Sequence, residues 1–384
     1  MEPMLRFKAD DGSVFPDWEE MTLGDVGSVA MCKRVFKEQT REVGDVPFFK
    51  IGTFGGVPDA YISKSLFDEL KSKYAYPEVG TILLSASGTI GRQVEYQGED
   101  AYYQDSNIVW LEHDDTVLDS YLKQFYSVVK WQGLEGSTIK RLYNKTILDT
   151  PFYRPSLPEQ HKIADLLSAV DDVISAQEAE VAAWEKRRKG VMQKLFSQEV
   201  RFKADDGSDF PDWEEKTLGD ICMYERQRSE GANFVGTENM LKDFGGVTFD
   251  NSNADGSGTL YRPGDTLMSN IRPYLKKAWL ADRKGTCSTD VLVFHPTSVE
   301  PGYLYWLIAS DAFVRYVMSA AKGSKMPRGD KKHIMEMPLL LPNKDEQRKI
   351  DDCLSSLNDV IIKAKNELAK WQELKKGLLQ QMFV

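Results

Sequence analysis

Two pairs of short polar segments hold the side chains of this sequence that are best suited to chemistry with another molecule. Ser85-Ala86-Ser87-Gly88-Thr89-Ile90-Gly91-Arg92 sets hydroxyls and glycines ahead of an arginine. Glycine lets a backbone come close to a phosphate or base edge, and hydroxyl and N–H groups bind phosphate oxygens. Asn270-Ile271-Arg272-Pro273-Tyr274-Leu275-Lys276-Lys277 adds Asn270 and Arg272, residue types that contact adenine and guanine bidentately. Each is followed by a second basic segment. Gly136-Ser137-Thr138-Ile139-Lys140-Arg141 follows the first, and Gly323-Ser324-Lys325-Met326-Pro327-Arg328 the second, running on through Lys331, Lys332 and His333. Ser85, Ser87, Gly88, Thr89, Arg92, Lys140 and Arg141 are therefore read as contacts to nucleic acid in one set. Asn270, Arg272, Tyr274, Lys276, Lys277, Lys325, Arg328, Lys331 and Lys332 are read so in the other. One such segment alone is as compatible with a plain turn; two like-placed pairs are hard to attribute to solvation.

No catalytic constellation accompanies them. A methyltransferase needs a glycine-rich cofactor loop and an Asn or Asp before Pro-Pro-aromatic, and a nucleotide hydrolase needs GxxxxGK[ST]; the chain has none of these. The four histidines (His113, His161, His295, His333) are scattered, and Cys32, Cys222, Cys287 and Cys353 form no CxxC pair. Neither a metal ligand set nor a disulfide framework is supported. Pro16-Asp17 and Pro211-Asp212 are too close to their acidic neighbours for a metal-dependent nuclease, and Met21 stands where the second copy has Lys216. No catalytic or metal-binding residue is assigned.

The loops occupy matching places because the chain is a tandem repeat. Arg6–Asp25 reads RFKADDGSVFPDWEEMTLGD and Arg201–Asp220 reads RFKADDGSDFPDWEEKTLGD, differing only at Val14/Asp209 and Met21/Lys216. Gly80–Ser85 corresponds to Gly264–Ser269, Arg141 to Arg328, Gln160 to Gln347, Trp184 to Trp371 and Phe196 to Phe383. Nearly fixed ends around free middles indicate one frame carrying two separately specialised modules. The FPDWEE hexapeptides are acidic and aromatic, unsuited to a polyanion, and are read as packing each module onto the frame.

The frame is helical. Ile163, Leu167, Val170, Ile174, Val181 and Trp184 recur in steps of four and three with Gln177 between, and Ile350, Leu354, Leu357, Ile361, Leu368 and Trp371 repeat those steps with Ala364 between. This heptad seam predicts two helices of roughly 55 to 60 Å, each the simplest partner for the other as an antiparallel coiled coil. Gly190 and Gly377 each weaken a helix by about 1 kcal/mol relative to Ala, marking either close helix approach or a kink. The first helix runs through KLFSQEV into RFKADDGS; the chain ends in QQMFV and opens with MLRFKADDGS. Its two ends are therefore expected to be neighbours, in a circular pseudo-twofold arrangement. The middles are β-branched and aromatic at Thr81–Ser85, Tyr102–Leu111 and Thr289–Phe294, with helices at Tyr121–Trp131 and Tyr303–Met318. The fold class is thus α+β: two pseudo-repeated modules separated by two long helices. The divisions are a conserved segment 1–20, a module 21–156, a central helix 157–200, a repeated segment 201–215, a module 216–342 and a final helix 343–384.

With 384 residues, 41% of them hydrophobic, the chain can bury two or three cores. Its 49 basic and 59 acidic residues give a net charge of −10, so any nucleic-acid surface must be local. The opening MEPMLRFKADD lacks an apolar core and no run approaches the roughly 18 apolar residues of a membrane span. A soluble cytoplasmic protein without a membrane partner is expected.

In this order, and twice over, FPDWEE, the module, the exit LPEQHKIADLLSAVDD and the long helix resemble the specificity subunit of a type I restriction-modification system. SGTIGR (Ser87–Arg92), VGTENM (Val235–Met240) and NIRPYLKKAW (Asn270–Trp279) look like that family too. The resemblance covers essentially the whole chain, although the compact length leaves little room for extra recognition loops. It implies two target-recognition domains in a phage-defence system, each reading half of an asymmetric bipartite sequence in double-stranded DNA. It also implies that the helices dock two methyltransferase (modification) subunits and, through them, restriction/translocase subunits. S-adenosylmethionine, ATP and Mg would then belong to the partners, with no cofactor on this chain. The competing classes are a coiled-coil scaffold that binds only proteins, disfavoured by the paired basic loops, and a self-contained nuclease or methylase, disfavoured by the missing motifs.

Overall fold

A computed structural model of the chain describes residues 3–131, 141–249 and 256–383. They form two units, Met1–Gln177 with Glu367–Val384, and Glu178–Asn366.

In the first unit the strand after FPDWEE, Glu19–Thr22, pairs antiparallel with Pro151–Arg154, the strand that leads into the first long helix. A helical turn, Leu23–Val26, follows, capped by Asp25, whose carboxylate accepts from the Thr22 N–H and hydroxyl at 2.7 and 2.8 Å. The main sheet is antiparallel, in the order Gly27–Ala30, Ile108–His113, Ile82–Ser85, Gln93–Glu95. Its first pairing requires glycine at residue 27, because a Cβ there would lie 2.4 Å from the Glu112 carbonyl oxygen. A smaller sheet sets Val46–Phe49 between Tyr61–Ile62 and Tyr102–Tyr103, the latter running parallel to it.

The second unit repeats the frame and main sheet. Glu214–Thr217 pairs with Pro338–Leu341, and the sheet order is Cys222–Tyr224, Val291–Pro296, Thr266–Ser269, Ala278–Leu280. The smaller sheet differs: Gly256–Tyr261 lies between Arg228–Gly231 and Gly285–Cys287, all antiparallel.

Each long helix contributes to both units: Leu157–Phe196 and Lys344–Phe383. Within the first unit Ile163 and Leu167 share a core with Leu379 and Met382, and Lys375 pairs with Asp171 at 2.5 Å. Within the second, Met192 and Leu195 share a core with Ile350 and Leu354, Lys365 pairs with Glu185 at 2.6 Å, and Arg188 donates to Asn358. In each unit, partners rise along one helix as they fall along the other, so the pairing is antiparallel. Ile163, Leu167, Val170, Ile350, Leu354 and Ile361 are buried, while Ile174, Val181, Trp184, Leu357, Leu368 and Trp371 are only half-buried. A Cβ on Gly190 or Gly377 would meet nothing within 4 Å, so these glycines serve no close helix approach.

Several boundaries differ from the sequence expectation; the helix expected over 121–131 spans Asp119–Tyr126 and ends in a turn at residues 127 and 128. The first helix stops at Phe196, and Ser197–Val200 form a turn with Gln198 at φ 59° and the Val200 N–H donating to the Lys194 carbonyl at 3.3 Å. The helix expected over 303–318 is two, Pro301–Ile308 and Asp311–Ser319, because the Ser310 hydroxyl caps the second by accepting from Phe313 N–H at 3.0 Å. The strand expected over 102–111 is split by a turn in which Ser106 takes φ 51°.

Candidate nucleic-acid interface

FPDWEE meets the frame through one buried carboxylate per unit. Glu159, at the start of the first long helix and fully buried, accepts from Arg6 at 3.1 and 2.9 Å and from the Trp18 indole at 2.9 Å. Glu346 does the same for Arg201 at 3.1 and 2.8 Å and Trp213 at 2.9 Å. Next to them, Gln160 bonds the Thr116 and Pro155 carbonyls and the Leu118 N–H, and Gln347 bonds the Pro342 carbonyl and the Glu300 N–H. Buried charges are stable only when paired in this way, and the pairing fixes each module at the base of its helix.

On this base the two basic loops of each module cross. In the first unit an antiparallel bridge joins Ser87 to Arg141, and the Leu142 N–H donates to the Ala86 carbonyl at 2.8 Å. In the second the bridge joins Ile271 to Arg328, and the Arg272 N–H donates to the Pro327 carbonyl at 2.8 Å. The segments that stand far apart in sequence therefore meet at corresponding places in both units.

Not every residue singled out from sequence is free to meet a ligand. Ser85 is buried and closes its own loop: its hydroxyl donates to the Thr89 carbonyl and accepts from Arg92 N–H at 2.9 Å. Ser87 bonds Asn107 at 2.9 Å, Arg92 the Phe54 carbonyl at 2.7 Å and Arg141 the Ser106 carbonyl at 2.8 Å. Gly88 and Thr89 are exposed at the loop tip, where Gly88 takes φ 64°. Lys140 lies outside the described residues.

In the second unit Lys277 donates to the Thr237 carbonyl at 2.7 Å, and burial, reinforced by the like charge of Lys242, holds its pKa below the ordinary lysine value. Lys276 pairs with Asp311 at 2.8 Å, Arg328 with Asp290 at 3.2 Å and Lys332 with Glu336 at 3.7 Å. Asn270 is 7% exposed, and its Oδ1 has no hydrogen-bond partner among the described residues. Arg272, Tyr274, Lys325 and Lys331 are exposed, and no described residue pairs with the three charged side chains. Arg272 is held in the left-handed region at φ 51°, with Pro273 opening the short helical turn Pro273–Leu275. Arg226 and Arg228, also exposed, escaped the sequence reading, since only an isolated Arg-Gln-Arg pattern marked them.

A repeated frame under two dissimilar loop crossings defines a two-module recognition protein. The family model described as the type I restriction modification DNA specificity domain matches residues 16–183 and 211–371, and the chain belongs to that family. A specificity subunit of the MjaVIII type I restriction enzyme from Methanocaldococcus jannaschii is 22% identical over 98% of this chain and 95% of its own. A Haemophilus influenzae protein named for the same role is 54% identical, over 40% of each chain. The crystal structure of a type I restriction-modification S subunit from M. genitalium has the same fold, with a TM-score of 0.61, 17% identity and coverage of 100% of this chain and 99% of that one. No helix among the described residues is long and apolar enough to cross a membrane.

Proposed function

We propose that this chain is the DNA sequence-recognition subunit of a type I restriction-modification system, reading an asymmetric bipartite target with one half-site for each unit. The matching loop crossings, Ser87 with Arg141 and Ile271 with Arg328, carry this reading: one scaffold presents two different sets of polar residues. Where the first crossing offers Gly88 and Thr89, the second offers Arg272 and Tyr274, so the half-sites differ in sequence. Arg272 reads a base edge and Lys325 meets phosphate; the residues held by internal bonds shape the loops. The chain itself supplies no catalysis. Two methyltransferase subunits dock on the helices and bring S-adenosylmethionine, and restriction subunits joined through them bring ATP and Mg, in the cytoplasm.

The test is methylation-aware sequencing of DNA from cells that carry the system. Arg272→Ala should relax one half-site only, by about 1 to 3 kcal/mol of discrimination. Lys325→Ala should weaken all sequences alike. Unchanged motifs and affinities in both variants overturn the assignment of the loops, and methylation by the purified chain alone overturns the division of labour.

A further inference from the structure

In the second unit a groove of about 790 Å³ lies between the main sheet and the helix Lys331–Met335, lined among others by Arg226, Arg228, Lys331, Lys332, Glu225 and Glu336. Its charges do not cancel. Glu225 accepts from the backbone N–H of Gln227 at 2.8 Å, pairs with Arg262 at 2.5 Å and accepts from the Arg226 N–H at 2.8 Å, bonds that keep its carboxyl below the usual range against the opposing effect of burial. Glu336 faces Lys332 at 3.7 Å. Arg226, Arg228 and Lys331 are exposed, and no described residue pairs with their side chains. Glu230, two residues beyond Arg228 on its strand, lies outside the lining.

The groove is anchored to the reading loops. The Tyr224 hydroxyl donates to the Lys331 carbonyl at 3.1 Å, fixing one wall to the other. Thr289 lines the groove, and its neighbour Asp290 accepts the Asn270 N–H at 2.8 Å and pairs with Arg328. A duplex read at the loop crossing would therefore continue past the three unpaired cations. The described residues of the first unit carry a different set of cations at the matching places, with Lys145 exposed where the second unit has Lys332. After its corresponding strand come Lys33, whose ammonium lies over the Tyr74 ring at 4.9 Å, and Arg34, paired with Asp105 at 2.9 Å.

We infer that this groove seats the sugar–phosphate backbone of the DNA flanking the second half-site, with Arg226, Arg228 and Lys331 as phosphate ligands. The inference rests on the DNA-reading role proposed above. It makes the second unit the dominant source of salt-sensitive, sequence-independent affinity. Phosphate neutralisation releases counterions, and each contact adds about 0.9 to the slope of log K against log salt.

The experiment measures that slope for the full chain assembled with its methyltransferase subunits. Two duplexes serve as probes, one carrying the motif found by methylation mapping and one of scrambled sequence. Arg226→Gln with Arg228→Gln should lower the slope by about two on both duplexes and leave the methylated motif unchanged. Arg226→Lys with Arg228→Lys should retain most of the slope, which separates lost charge from a disturbed fold. Lys33→Gln with Arg34→Gln should move it by less than one. If Arg272→Ala relaxes its half-site while the glutamine pair leaves the slope intact, the groove assignment is wrong and the loop assignment stands. A wild-type assembly that binds neither duplex overturns both.

Discussion

Leu5 donates its backbone N–H to the carbonyl of Gln381 at 3.0 Å, tying the beginning of the described chain to the end of the second long helix. The repeat turns this into a comparison. Leu5 corresponds to Val200 and Gln381 to Lys194, and the Val200 N–H donates to Lys194 across the covalent junction inside the chain, at 3.3 Å. The open junction and the closed one share this hydrogen bond.

A circularly permuted chain should therefore fold. With Phe383 joined to Leu5 through a Ser-Gln-Glu linker and new termini placed in the turn at Ser197–Val200, one hydrogen-bonded turn replaces its equivalent. Thermal unfolding should show a midpoint within a few degrees of the parent, and the methylated motif should be the same. A permutant that aggregates, beside a soluble parent, contradicts the equivalence.

Glu346→Gln should destabilise the second unit by about 1 to 3 kcal/mol, because a neutral amide replaces the buried carboxylate that accepts two bonds from Arg201, leaving that guanidinium to Asp212 at 3.9 Å. The Trp213 indole bond to the same carboxylate is also disturbed. Urea unfolding followed by tryptophan fluorescence measures this. Glu159→Gln should cost the first unit a similar amount through Arg6 and Trp18.

His113 gives the first unit a pH dependence. Its Nε2 stands 3.3 Å from Asp119, and the hydrogen bond it donates to that carboxylate raises the imidazole pKa against the opposing effect of burial. The unfolded value is about 6.5. Stabilisation by the charged form is complete below that pH and is lost as pH rises through the higher folded value. Unfolding free energy should fall over that window, and His113→Gln should flatten the fall. Identical profiles for the two proteins exclude this role.

Asp311 bonds Lys189 of the first long helix at 2.7 Å and Lys276 of the Asn270–Lys277 loop at 2.8 Å, and both bonds keep its carboxyl below the usual carboxylate range. Asp311→Asn should loosen the loop that carries Arg272 and weaken DNA binding about two- to fivefold, in line with a partly exposed pair. Faster dissociation with an unchanged motif is the expected signature, read by surface-immobilised duplex. A changed motif would mean that Asp311 shapes the reading surface itself.

The repeat made the frame legible without coordinates. Identical FPDWEE segments require identical receivers, and the steps of four and three from Ile163 to Trp184 and from Ile350 to Trp371 admit little but paired helices. Periodic burial is a local property, so sequence records it. The same holds for the loops: Gly88 and Arg272 are marked by residue type, as are Lys325 and Arg328. Tertiary structure decided which of those residues remain free. Ser85 turned inward because its hydroxyl closes a loop, and Lys277 because the Thr237 carbonyl waits forty residues upstream in the chain. Arg226 and Arg228 gained importance only when folding paired Glu225 with Arg262 and left them without a counter-charge. Whether a charge is neutralised depends on partners that are close in space and distant in sequence, and pattern along the chain does not encode that distance.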